Sequence, residues 1–184
     1  MDRYPKQLRD KLTKCRRGDT MRLFIAVNFD RETKRKLIAV QKRLKKVGPG
    51  NFSPPENLHL TLAFLGEVPP DRTAVVKRAM EQTAVPDLIL TFDHAGCFQR
   101  DGGDVWWVGL AENRALLEMR MELCGHLSAA GFKLESRRFA PHITLARQPV
   151  TNGPQWGAVY LIILFYGTHI DLSIQDLNPE VTLI

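Results

Sequence analysis

The chain has 184 residues, 44% apolar and 25% charged, with a formal net charge of +6 at neutral pH. That size and composition suit one domain or two small lobes around a buried core and exclude disorder over most of the length. The charge is uneven: seven basic residues against three acidic ones leave +4 in the first 20 residues and only +2 in the other 164, so basicity alone is a weak sign of a nucleic-acid surface.

Residues 1–20 lack the apolar run of a secretory signal or anchor, and their three aspartates argue against a transit peptide. They are expected to form a basic N-terminal extension, with residues 21–184 making a single bilobal domain that opens at "MRLFIAV". "RLFIAVNF" at 22–29 reads as a strand. Asp30 then caps a helix through about Lys46, with Leu37, Val40, Leu44 and Val47 on its buried face and a basic opposite face that reads as solvated. After the loop "GPGNFSPPEN", "LHLTLAFLG" is a strand closed by Gly66. A second helix follows, with Asp71 as N-cap and Val75, Val76, Ala79, Met80 and Thr83 facing inward.

"DLILTFDHAGCF" and "DVWWVGL" read as strands around a "RDGGD" turn, and a long helix from about Asn113 to Ala130 buries Leu116, Met119, Leu123 and Leu127 before Gly131 stops it. "FAPHITLAR" and the nine apolar residues "AVYLIILFY" at 158–166 complete the strands; the latter run is too short to cross a membrane. Strand, helix and motif strand thus occur twice in loose duplication. The expected class is α+β, two pseudo-symmetric sheet-and-helix lobes around a central cleft.

The duplication is sharpest in two pentapeptides, "HLTLA" at 59–63 and "HITLA" at 142–146. Alternation on a strand puts His59 with Thr61, and His142 with Thr144, on one face, and the aliphatic residues between them on the other. A core strand has no use for that polar face. A phosphodiester does: imidazole titrates near neutrality, so one histidine can take a proton from the nucleophile and another deliver one to the leaving oxygen, while the hydroxyls hold the non-bridging oxygens.

Competing chemistries lack their residues. Neither motif histidine has a carboxylate or cysteine at ligand spacing, and "HExxH" is missing, so no metal and no other cofactor is expected. There is no "GxxxxGK[ST]", "GxGxxG" or "GxSxG". Cys15, Cys97 and Cys124 are odd in number and far apart, which suits free thiols in a reducing cytoplasm. His94, in a "DHAG" turn, His126 and His169 read as structural.

With these residues in view, the chain resembles the RNA 2′,3′-cyclic phosphodiesterases, or 2′-5′ RNA ligases, of the two-histidine phosphoesterase superfamily. The likeness runs from "MRLFIAV" through "NLHLTLAFLGEV", "VWWVGL" and "RRFAPHITLAR", roughly residues 21–150. It implies the two-lobed fold of that superfamily and hydrolysis of an RNA or nucleotide 2′,3′-cyclic phosphate end to a 2′-phosphate, with reversible 2′-5′ ligation as the reverse reaction. It also implies His142 as base, His59 as acid, Thr61 and Thr144 on the phosphate, and Phe64 and Arg147 flanking the base. Without the resemblance, Phe64 follows a buried register and would be placed in the core. The likeness weakens after the last long strand, where Gly167 and Thr168 stand in the region of the family's serine and nearby basic residues are missing.

The expected partner is an RNA or nucleotide bearing a cyclic phosphate end, with no membrane and a monomeric chain. Two other readings stay open: cleavage of 2′-5′ oligonucleotides or of ADP-ribose cyclic phosphate, and a non-catalytic RNA-end binding module.

Overall fold

The computed structural model describes residues 20–148 and 181–183. The expected N-terminal extension, Cys15, the strand at 158–166, Gly167, Thr168 and His169 lie outside the described residues. The elements run β1 (Met21–Asn28), α1 (Arg31–Val47), β2 (Asn51–Phe52), β3 (His59–Val68), α2 (Thr73–Gln82), β4 (Phe92–Phe98), β5 (Asp104–Leu110), α3 (Arg114–Ala129), β6 (His142–Gln148) and β7 (Val181–Leu183). They build two sheets, one in the order β3-β1-β7 and the other β2-β6-β5-β4. Every strand pair is antiparallel.

Each sheet borrows a strand. β2 is made early in the chain yet pairs with β6, and β7 returns from the far end to pair with β1. Among the described residues, β3 is an outer strand of its sheet, and β2 pairs with β6 only at Ala146 and Arg147, leaving the His142–Thr144 stretch as an edge. These two edges approach each other along the seam between the sheets.

The helices form where capping and spacing direct them. The Asp30 side chain accepts from the Thr33 N–H at 2.7 Å, and Leu37, Val40 and Leu44 of α1 are buried. Asn113 accepts from the Leu116 N–H at 2.9 Å, and Leu116, Met119, Leu123 and Leu127 of α3 are buried; Gly131, at φ 84°, ends that helix. These side chains meet Leu23, Ile25, Leu60, Leu62, Ile143 and Leu145 from the strands in one core, at roughly 1.5–3 kcal/mol for each large aliphatic chain fully buried.

Four expectations are corrected. Asp71 is not the cap of α2: it lies in a 3-10 turn at Pro70–Arg72, and Arg72 holds the cap position. The two prolines tighten that entry so the helix begins later. Val75 faces solvent, while Thr73, Val76 and Ala79 carry the buried face. Gly66 does not close β3; at φ 69° it sits inside the strand where the register with β1 slips between Leu23 and Phe24, a use of glycine at bulges. His94 belongs to β4 rather than to a turn, and the strand begins at Phe92 instead of Asp87.

Candidate active site

The two pentapeptides begin the two edge strands that meet at the seam. His59, Thr61, His142 and Thr144 are all half-buried, whereas Leu60, Leu62, Ile143 and Leu145 are buried. Alternation therefore holds through each threonine. Beyond it, both strands break step. Opposite β1, Ala26 pairs with Thr61 and Ile25 with Ala63, so Leu62 is passed over; opposite β5, Trp107 pairs with Thr144 and Trp106 with Ala146, so Leu145 is passed over. A bulge at the same place in each strand flips the following residues. Ala63 and Ala146 go into the core, and Phe64 and Arg147 come out on the side of the histidines. Phe64 is 51% exposed, which corrects its placement in the core by simple alternation.

His59 stands opposite Asn28, and its ring meets Phe24 at 4.8 Å between centroids; Phe24 in turn lies 5.8 Å from the Phe64 ring. Ala26, between Phe24 and Asn28 on β1, is small enough to let these rings converge. From α1, Lys34 Nζ donates to Asn28 Oδ1 at 3.3 Å, which brings an ammonium beside this histidine. Burial pushes the His59 imidazole below the ordinary histidine range and Lys34 adds to it, while the Glu56 carbonyl pulls weakly the other way. Nδ1 is buried and closes no full hydrogen bond among the described residues.

His142 has a different frame. Its Nδ1–H donates to the Ala140 carbonyl at 2.7 Å, which selects the tautomer with a lone pair on Nε2. Phe98 and Trp107 hold the ring, at 5.0 Å and 5.8 Å between centroids. Burial again depresses this imidazole; the Ala140 bond opposes the shift, and Arg100 and Arg147 reinforce it. Both histidines thus sit where the neutral form is favoured until an anion arrives.

Sequence reasoning missed the supports. Phe24, Phe98 and Trp107 are spread over three strands, and only the ladders bring them to the imidazoles. The His94–Gly109–His142 row across β4, β5 and β6 was also hidden: the His94 ring, hydrogen-bonded to Asp93, lies over Gly109, so a Cβ there would overlap the imidazole at Nε2. Cys97 of β4 packs against the core rather than on the histidine side, and burial and then the Asp104 carboxylate push its thiol up to about 11. No cluster of histidine, cysteine, aspartate or glutamate able to hold a metal occurs among the described residues. No helix among them is long and apolar enough to cross a membrane.

Comparison with known proteins identifies relatives of the whole fold. The chain is 31% identical over 128 residues to the RNA 2′,3′-cyclic phosphodiesterase of Archaeoglobus fulgidus, covering 69% of this chain and 72% of that one. It is 32% identical over 131 residues to the protein of that name from Escherichia coli, covering 71% and 73%. The crystal structure of E. coli LigT complexed with 3′-AMP superposes with a TM-score of 0.62 at 32% identity, over 74% of this chain and 79% of that one. That of TT0787 from Thermus thermophilus gives 0.61 at 27% identity, over 72% and 77%. The fold is that of the two-histidine phosphoesterases. With the 2′-5′ RNA ligase superfamily profile matching residues 33–154, the chain belongs to that superfamily.

Proposed function

We propose that this protein hydrolyses the 2′,3′-cyclic phosphate end of an RNA or nucleotide to a 2′-phosphate by paired-histidine acid–base catalysis. The observation that carries this reading is the placement of His59 with Thr61, and His142 with Thr144, on two edge strands that meet along one seam. Lys34 beside the first imidazole and Arg100 and Arg147 beside the second make the surroundings attractive to a phosphate. Relatives named RNA 2′,3′-cyclic phosphodiesterase support the same substrate.

His142 is the base. Its Nδ1–H is committed to Ala140, so Nε2 accepts the proton of a water that attacks phosphorus. The P–O3′ bond breaks, and His59, protonated once the phosphate is bound, delivers a proton to the departing 3′ oxygen. Thr61 and Thr144 donate to the non-bridging oxygens, whose charge is redistributed in the transition state. Phe64 offers an aromatic face and Arg147 a planar cation to the base, contacts that tolerate any base identity. With a 5′ hydroxyl in place of water as the nucleophile, the same steps join a 2′-5′ bond and leave the 3′ oxygen as a hydroxyl. The protein works as a cytoplasmic monomer on RNA ends.

The test is incubation with a 2′,3′-cyclic nucleotide in EDTA, followed by identification of the product isomer. A 2′-phosphate formed without added metal is expected. A 3′-phosphate, or no product at all, rejects the reading.

A further inference from the structure

The bulges at Leu62 and Leu145 each receive a side chain from a helix far away along the chain. Arg120, on α3, donates Nε–H to the Leu62 carbonyl of β3 at 2.9 Å. Gln41, on α1 and itself buried, donates from its amide nitrogen to the Leu145 carbonyl of β6 at 2.8 Å and to the Ser53 carbonyl, also at 2.8 Å. The Ser53 N–H reaches the same Leu145 oxygen at 2.9 Å, so Gln41 ties the bulge of β6 to the end of β2. Arg120 also reaches the approach to β6: its guanidinium lies 4.2 Å from the centre of the ring of Phe139, the residue before Ala140, whose carbonyl accepts the hydrogen bond of His142 Nδ1–H.

Neither bond is needed to make a helix or a strand. Both span long stretches of chain, 58 residues for Arg120 and 104 for Gln41, and both end one residue beyond a motif threonine. No strand pairing joins the two sheets among the described residues. The spacing of the motif strands is therefore set by side-chain packing, and these two side chains anchor the motif strands to helices at equivalent points.

We propose that Gln41 and Arg120 are equivalent positioning residues, each holding one motif strand to a helix at its bulge, so that both imidazoles address one phosphorus. This rests on the two-histidine reading of the site. Loss of either bond lets a motif strand shift, and misplacement by about 1 Å can cost roughly 100-fold in rate.

The experiment compares Gln41→Met, Arg120→Met and Arg120→Lys with the parent protein, at a temperature where circular dichroism shows all of them folded. With a 2′,3′-cyclic nucleotide, the two methionine variants are expected to lose about 10- to 100-fold in kcat with KM changed less than about threefold. Arg120→Lys, which keeps a donor and a cation, recovers the greater part and stands in if Arg120→Met does not fold. Imidazole NMR signals give a readout independent of turnover: the His142 ring should shift in Gln41→Met, and the His59 ring in the Arg120 variants. If the parent protein has no activity, the functional reading fails and the NMR arm alone decides the positioning role. Unshifted imidazole signals, or kcat within twofold of the parent, overturn it.

Discussion

Phe64 and Arg147 hold equivalent places in two strands: each is the third residue after its motif threonine, and each is turned out of the core by a bulge at the intervening leucine. One is an aromatic ring and the other a guanidinium. That difference adds to the unlike surroundings of the two histidines and makes the two sides of the seam chemically distinct. Phe64→Ala should raise KM for a cyclic nucleotide roughly 5- to 150-fold, the equivalent of about 1–3 kcal/mol of base stacking, with kcat changed little. Because the ring is half exposed, the melting temperature should stay within a degree or two. A loss confined to kcat would place Phe64 in the chemistry instead.

Replacing either imidazole should remove most turnover and leave the fold. His59→Ala and His142→Ala are each expected to lower kcat by about 10²–10⁴, the range of general acid–base catalysis. The double variant should lose much less than the product, because the two act as a unit. Steady-state kinetics with a cyclic nucleotide, beside circular dichroism, checks both points.

The pH dependence follows from the depressed imidazoles. In the folded protein both bind a proton less readily than the ordinary histidine, near 6.5. The profile of kcat/KM should be a bell centred below that value, and the kcat profile should lie at higher pH because a bound phosphate anion favours the protonated ring. A flat profile between pH 5 and 8 would reject the paired roles.

Stability obeys the same shifts. Below about pH 6.5 the unfolded chain binds more protons at these two positions than the native protein, so their contribution is complete above that pH and is lost as pH falls through the depressed folded values. Melting temperature should fall from pH 7.5 to pH 5, and the slope should flatten in a His59→Gln, His142→Gln double variant. Calorimetry across that range reads both.

Two glycines hold the second histidine's surroundings open. A Cβ on Gly96 would overlap the Trp107 ring, and one on Gly109 would overlap the His94 ring at Nε2. Gly96→Ala should cost about 1–3 kcal/mol and lower kcat by moving the ring that supports His142. The defect of Gly109→Ala should be relieved by adding His94→Ala, which removes the clash. Failure of that suppression, read by thermal melting, would show that the His94 ring is not the obstacle.

Much of this was legible in the sequence because it is written locally. Asp30 and Asn113 announce their helices, Gly131 ends one, and each motif histidine shares a face with the threonine two residues on. The bulges were not legible. Leu62 and Leu145 are ordinary β-strand residues, and counting in twos past them would select Ala63 and Ala146 in place of Phe64 and Arg147. Gly66 carried a real signal of irregular backbone, read as a strand end when it marks a bulge. Gln41 and Arg120 have no local signature, since their meaning lies in carbonyls far along the chain.

The exchange of β2 and β7 between the sheets has a consequence for how the molecule comes apart. Severing the chain between Leu110 and Arg114 would leave the first fragment without β7, and would part β6 from β2, β4 and β5, its sheet partners among the described residues. Neither piece retains both sheets complete, so the halves should melt together in one transition.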